Sequence, residues 1–375
     1  MRTTHATVYS TLFFSIITMT LTGCQQAPVT TLDNPEFNKN PQGEFTNQYP
    51  NTFRGKGPHH PYDDIEFLKK AEIKPVEPSF INVGSFTGLS KSAGFNYQDL
   101  LYATPRIDEQ ARQTLTWLGH ASFLVQQRHD DAFLTDPVFG EFDGAVGWLA
   151  RQVNDEMARL GPAPVNTKDL KFIDGAVISH NHYDHLSSDT LNTLAQGTEL
   201  LLPLSVSDNV DYTQGPITEM DWYTQTTIGQ TDVHFLPAHH FSRRGLNDWN
   251  ETLWGAWLFD DGEHTIFFAG DTGYSPIYKD MNAKFNGFDV CLMPIIAYDY
   301  TYRSIHFAPE DAVKAAQDLA CKVFIPWGYG TWLLGYEHVN EPLRRLQKAF
   351  DDIKPEMTLK ILKIGESVRY SELLN

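Results

Sequence analysis

The sequence predicts an α/β (α+β) fold, a four-layer αββα sandwich of two mixed sheets packed face to face with helices outside. Three observations predict it. Short apolar, strand-like runs recur from residue 113 to the C-terminus, separated by Gly, Pro, Asn and Asp. Each half of that region opens on strands and then alternates strand with helix, the pattern of sheets covered by helices. The chain has 375 residues, 41% of them hydrophobic and 20% charged, enough to bury a sizeable core.

The elements follow in order. The runs TLTWLGHASFLVQQ and DAFLTDPVF read as the first strands, and residues 168–179 lead into a buried strand ending Ala176-Val177-Ile178. SSDTLNTLAQ then reads as a helix. The second half repeats the theme with TDVHFLPAHH, LWGAWLFDD, HTIFFAGDTG and FDVCLMPII as strands. PEDAVKAAQDLA is a helix, because Pro309 suits a first helical position and Glu310 and Asp311 complement the positive end of the helix dipole. KVFIPWG is a further strand and EPLRRLQKAF a further helix; a short helix is also expected in DIEFLKK. No fixed-period repeat is present.

Three segments make up the chain: an export signal over 1–24, a flexible linker over 25–60 rich in Pro, Asn, Gln and Thr, and a single domain over 61–375. The run Thr11 to Leu21 is apolar but too short to span a bilayer comfortably. It ends in Leu21-Thr22-Gly23-Cys24, which resembles the lipobox of bacterial lipoproteins. That resemblance implies cleavage before Cys24, a diacylglycerol on its thiol and, since Gln25 rather than Asp follows, the outer membrane facing the periplasm. The formal net charge of −18 disfavours nucleic acid and electrostatic docking on anionic lipid alike, so the lipid on Cys24 is the expected membrane attachment. Cys291 and Cys321 lie in apolar, strand-like contexts; a disulfide and two separately buried thiols are both open readings.

The strongest chemical signal is His180-Asn181-His182-Tyr183-Asp184-His185, between an apolar strand and a helix. In extended chain, positions i and i+2 point to one side, so His180 and His182 can share one metal, while the turn that follows takes Asp184 and His185 to another face. Imidazole with carboxylate suits Zn, Mn or Fe. Further donors stand at later strand ends: His239-His240 after Pro237-Ala238, and Asp271 within Gly270-Asp271-Thr272-Gly273, where a carboxylate can bridge two metals.

In this order these motifs resemble the metallo-β-lactamase superfamily, and more narrowly its N-acyl-phosphatidylethanolamine-hydrolysing phospholipase D branch. The resemblance covers roughly residues 55–345 and is carried by WLGHAS from Trp117, LTDPVF from Leu134, His180 to Leu186, PAHH from Pro237, LWGAW from Leu253, Gly270 to Tyr274, His306 to Val313, and Trp327 to Glu337. It implies a zinc-dependent phosphodiesterase with two zinc ions and a phospholipid or other phosphodiester as substrate. His180, His182 and His240 would hold one zinc, Asp184 and His185 the other, with Asp271 bridging. Asp184, Asp271 and His306 would act in catalysis, His306 lining the substrate pocket, and Asp136 would orient a ligand histidine. One position departs from the family pattern. A ligating His is expected directly before Trp327-Gly328, where this chain has Pro326, so a substitute such as His306 or His338, weaker occupancy, or a single metal is expected.

In the implied reaction the metals activate water for attack on phosphorus, releasing an N-acylethanolamine and leaving phosphatidic acid. Trp249, Trp254, Trp257 and Tyr298-Asp299-Tyr300 line an acyl pocket or form core, and Arg243 and Arg244 meet a phosphate or are solvated. Two rival readings stand beside this one: a metal-dependent hydrolase of a small sugar phosphate or lactone, and a non-catalytic envelope lipoprotein that retains the fold.

Overall fold

The computed structural model describes residues 30–31, 39–49, 103, 107–143, 159–160, 162–298, 302–332, 334–335, 337 and 341–375. The expected helix in DIEFLKK lies outside them. The strands are β1 (Thr30–Thr31), β2 (Thr114–Trp117), β3 (Phe123–Gln126), β4 (Ala132–Thr135), β5 (Gly175–Val177), β6 (Glu199–Pro203), β7 (Ile217–Met220), β8 (Thr224–Ile228), β9 (Thr231–Pro237), β10 (Gly255–Asp260), β11 (Thr265–Phe268), β12 (Phe288–Pro294), β13 (Cys321–Trp327), β14 (Thr358–Leu359) and β15 (Ser367–Arg369). The α-helices are α1 (Ser188–Leu191), α2 (Ile277–Phe285), α3 (Pro309–Asp318), α4 (Glu341–Ile353) and α5 (Tyr370–Leu373).

The strands form two sheets, one ordered β15-β2-β3-β4-β5-β6-β7 and the other β1-β8-β9-β10-β11-β12-β13-β14. Both are mixed. β4 to β7 pair parallel beside an antiparallel β2–β3–β4 meander, and β11 to β14 pair parallel beside antiparallel β8 to β11. The expected sandwich of two mixed sheets with helices is therefore the observed one.

Alternation along the strands of the first sheet explains the layering. Leu115, Trp117, Phe123, Val125, Phe133, Val177 and Leu201 point into the large core shared with the second sheet. Leu124, Leu134, Ala176, Leu200 and Leu202 point the other way, into a second cluster with Leu186 and Leu191 of the α1 region. A strand buried on both faces reads as an unbroken apolar run, as GAV and ELLLP do. In the second sheet every residue of β12 is buried. The disulfide Cys291–Cys321, with Cα atoms 6.1 Å apart, staples β12 to β13 and settles which cysteine reading holds.

Three differences from expectation have physical causes. The SSDTLNTLAQ helix is only α1, four residues long; Ser187 caps it by accepting from Thr190 N–H, and Asn192 ends it by donating its side-chain amide to the Ser188 and Asp211 carbonyls. Helix α2 was not anticipated; it starts at Pro276 and stops at Asn286 in the left-handed conformation, a common C-terminal signal. Residues 39–49 do not behave as linker. Phe45 is 2% exposed and part of the main core, Tyr49 donates to Asp280, and β1 pairs with the edge strand β8.

Candidate metal centre

The candidate ligands all sit just beyond strand ends, where loops leave the sandwich along one rim. His120 follows β2, Asp136 follows β4, the His180–His185 turn follows β5, His240 follows β9, and Asp271 follows β11. Glycines let the Asp271 turn seat. A Cβ on Gly270, which has φ +58°, would lie 2.7 Å from Ser179 Cβ, and one on Gly273 would lie 2.1 Å from the Ser304 carbonyl oxygen.

Two groups of donors result. In one, His180, His182, His240 and Asp271 bring ligand atoms together. His180 Nε2 lies 2.7 Å from His182 Nδ1, which is 3.4 Å from His240 Nε2, and His240 Nε2 is 4.0 Å from Asp271 Oδ2. In the other, His120, Asp184 and His185 converge. Asp184 Oδ2 lies 3.1 Å from His120 Nε2 and 3.3 Å from His185 Nε2, and His185 Nε2 is 3.2 Å from Asp271 Oδ2. Asp271 thus stands between the groups. Zinc with bonds of about 2.0–2.1 Å to tetrahedral donors sets neighbouring donors about 3.3 Å apart, so the second group has the right spacing and the first is close to it.

Outer partners fix which nitrogen faces the centre. Asp136 is fully buried. It accepts from Ser179 N–H and Ser179 Oγ–H and from His185 Nδ1–H, each at 2.6 Å, which turns His185 Nε2 towards the acids. Ser179 Oγ, having given its proton to Asp136, accepts from His180 Nδ1 at 2.9 Å. His240 Nδ1 donates to the Ile305 carbonyl at 2.9 Å. The Asn47 side chain grips the His240 backbone, accepting from its N–H and donating to its C=O. Asp136 therefore stands where a residue orienting a ligand histidine is expected.

Burial sets the charges. It pushes His180 and His240 well below the ordinary imidazole value, helped by neighbouring imidazoles, and takes His182 down to about 4. Those rings are neutral at pH 7, the ligating form. Burial alone would raise Asp184 and Asp271, but the His185 charge beside them outweighs it and holds both below the carboxylate range. Those two acids, Asp271 and Asp184, together with Asp136 hold His185 well above 6.5 against the effect of its own burial. A cation held by these acids would offset the same negative charge that His185 offsets.

Other expectations fare differently. His239 is in neither donor group; its backbone N–H donates to Thr272 Oγ1. His306 sits at the rim, Nδ1 3.7 Å from Asp271 and its ring 5.0 Å from that of His240, so it neighbours the first group. It does not join Asp184 and His185, and His338 lies outside the described residues. The side chain that joins them is His120, which sequence reasoning left inside a family motif without a role. The available signal was its setting, a Gly-His turn at a strand end, much as Gly270-Asp271 is a Gly-Asp turn.

Trp254 and Trp257 are core, not pocket; their indole N–H groups donate to the Ala238 and Ile178 carbonyls. Tyr298 is buried and donates to Glu341, while Asp299 and Tyr300 lie outside the described residues. Arg244 is structural: it donates to the Asn181 and His182 carbonyls, lies over the Tyr183 ring and pairs with Asp143. Arg243 is exposed and spans its own loop, donating to the Gly245 and Leu246 carbonyls.

Fold and site define a metal-dependent hydrolase of the metallo-β-lactamase superfamily, and the chain belongs to it: the family model for the beta-lactamase superfamily domain matches residues 132–329. Within that superfamily it falls in the branch of N-acyl-phosphatidylethanolamine-hydrolyzing phospholipase D 1 of Caenorhabditis elegans, to which it is 30% identical over 260 residues, 64% of this chain and 71% of the relative. An uncharacterized protein of Mycobacterium tuberculosis is 35% identical over 259 residues, 66% and 67% of the two chains. Among solved structures, a possible metal-dependent hydrolase from Veillonella parvula shares the fold at a TM-score of 0.52 and 14% identity, covering 69% of this chain and 99% of its own.

Proposed function

We propose that this protein is a zinc-dependent phosphodiesterase of the phospholipase D type, acting on phospholipids of the N-acyl-phosphatidylethanolamine class. The observation that carries the reading is the pair of His/Asp donor groups meeting at one carboxylate, Asp271. Zinc bound there would supply Lewis acidity, lowering the pKa of water towards about 7 and offsetting charge on a phosphoryl oxygen. The chain's residues do the rest. Asp184, ionised and at the edge of the centre, accepts the proton of the attacking water. Asp271 holds the two halves of the site in register. His306, at the rim, faces the incoming phosphodiester.

A lipid substrate is supported by the 241–250 loop. Phe241 packs its ring 4.6 Å from His182 and 4.9 Å from His240, and Trp249 stacks on Phe241 at 4.7 Å. Trp249 is 47% and Leu246 60% exposed, so an apolar lip leads from solvent to the ligands. The activity for which the Caenorhabditis elegans relative is named supports the same substrate class. We place the protein in the bacterial envelope, lipid-anchored through Cys24, a reading that rests on the Leu21–Cys24 motif and agrees with a disulfide between Cys291 and Cys321. Among the described residues no helix is long and apolar enough to cross a membrane.

The test is direct. Zinc-loaded protein is incubated with N-acyl-phosphatidylethanolamine in mixed micelles and products are followed by mass spectrometry. Phosphatidic acid and N-acylethanolamine are expected from the parent and not from folded Asp271→Ala. Absence of both products from the folded, zinc-loaded parent refutes the lipid substrate, and turnover of a soluble phosphodiester or lactone in the same preparation would replace it.

A further inference from the structure

We infer that His120 is a metal ligand and completes the second metal position with Asp184, His185 and Asp271, in a chain whose β13 offers Pro326 and no donor next to Trp327. The inference deepens the metal-dependent reading above and rests on it.

Among the described residues, the second position without His120 has two donors of its own, Asp184 Oδ2 and His185 Nε2, and shares Asp271. His120 Nε2 stands 3.1 Å from Asp184 Oδ2, matching the spacing of the other donor pairs around that point, 3.3 and 3.2 Å. With it the donors number two imidazoles and two carboxylates, a set that suits zinc. His185 Nε2 and one oxygen of Asp271, Oδ1, are buried with no hydrogen-bond partner, as ligand atoms are before a cation arrives.

The position is built rather than incidental. His120 has φ +47°, a left-handed conformation that is strained for a non-glycine residue and persists where its surroundings hold it. Here Thr331 Oγ1 accepts from the His120 N–H at 2.8 Å, and Trp117 Nε1 donates to its carbonyl at 2.9 Å. The ring is packed edge-on to Trp327 and Trp332, with centroids 5.9 and 4.9 Å away, and its side chain is 2% exposed. Thr331, Trp327 and Trp332 all come from the segment around the end of β13. The segment that carries Pro326 in place of a donor thus clamps a histidine from the turn after β2 against the same acids. The neighbouring group needs nothing from His120, since His180, His182 and His240 already supply three imidazoles.

Two measurements on the full folded chain test this. The first reads ligation in the parent. In protein labelled with 15N-histidine and loaded with 113Cd, cadmium–nitrogen coupling should mark a ring nitrogen of His120 along with those of His180, His182, His185 and His240. The second reads stoichiometry by metal analysis after competition with a chelator. The parent should retain two zinc ions. His120→Asn, which tolerates the left-handed backbone, should retain one, with affinity at the other site reduced about 100-fold or more, beyond the usual effect of losing an outer partner. His240→Asn serves as the converse, weakening the first site and leaving the coupling at His120 in place. A parent with two metals and no coupling at His120, or a folded His120→Asn that still holds two at parental affinity, overturns the inference and spares the metal-dependent reading. A folded parent that takes up no metal overturns both.

Discussion

Replacing Asp136 by Asn is the sharpest perturbation of the centre that leaves every candidate ligand in place. The two carboxylate oxygens are used differently: Oδ1 accepts from Ser179 N–H, whereas Oδ2 accepts from both Ser179 Oγ–H and His185 Nδ1–H. An amide has one oxygen and one NH2. If the NH2 takes the Oδ1 place it confronts a backbone N–H, leaving two donors face to face in a fully buried site. If it takes the Oδ2 place, Ser179 Oγ can become the acceptor, but His185 Nδ1 must also accept. The proton of that ring then moves to Nε2, the nitrogen that faces Asp184 and Asp271. Either arrangement removes one member of a buried ion pair, for which about 3–5 kcal/mol of destabilisation is expected. The second arrangement also blocks His185 as a ligand, so zinc affinity at that position should fall at least the 10–100-fold typical of an outer partner. Chelator competition reads the affinity, and urea unfolding of the metal-free protein reads the stability. Affinity within about threefold of the parent in folded Asp136→Asn would refute the reasoning about the tautomer.

Other predictions follow from single features. Phe45→Ala should destabilise by about 3–5 kcal/mol through the cavity left in the main core, read by urea unfolding; no change would mean that residues 39–49 are not part of the folded domain. Reducing the Cys291–Cys321 disulfide, which closes a sequence separation of 30, should cost about 3–4 kcal/mol and appear as a lower Tm in dithiothreitol. His239 is held down to about 4 by burial, whereas in the unfolded chain it titrates near 6.5. Below pH 6.5 the unfolded chain therefore binds the extra proton. Stability falls as pH drops from 6.5 towards 4, by about 2 kcal/mol at pH 5 from this group alone. Folded His239→Gln should show a shallower loss than the parent between pH 7 and 5, and equal slopes would exclude His239 as a source.

The parts of this molecule legible in its sequence are those where one local rule acts. The β5 run and the turn after it marked out His180, His182, Asp184 and His185, which the structure brings into two neighbouring donor groups, because period-2 geometry and metal chemistry both act over six residues. Asp271 was legible for the same reason, through its flanking glycines. His120 was not. Its place beside Asp184 and His185 depends on three contacts from the end of β13, some two hundred residues away. Trp254 and Trp257 misled in the opposite direction: an aromatic residue near a ligand loop looks alike from sequence whether it lines a pocket or fills a core, and only the acceptors for their N–H groups decide. Residues 39–49 carry linker composition, and a single phenylalanine with one asparagine was enough to dock them.

Under the lipoprotein reading, that docking changes how far the protein could stray from its anchor. A linker running from Cys24 to residue 60 would let the domain roam more than 100 Å from the bilayer at full stretch, at about 3.3–3.6 Å per residue. With Thr30 already paired to β8, the six steps from Cys24 to Thr30 allow about 20 Å. Under the lipoprotein reading, the catalytic rim works within roughly a domain's width of the leaflet that holds the acyl chains. The search for substrate is then largely two-dimensional, and turnover should scale with the surface density of lipid in that leaflet rather than with bulk concentration. Asn47 of the docked segment also holds the His240 backbone, so under the same reading tension on the tether would bear on a candidate ligand.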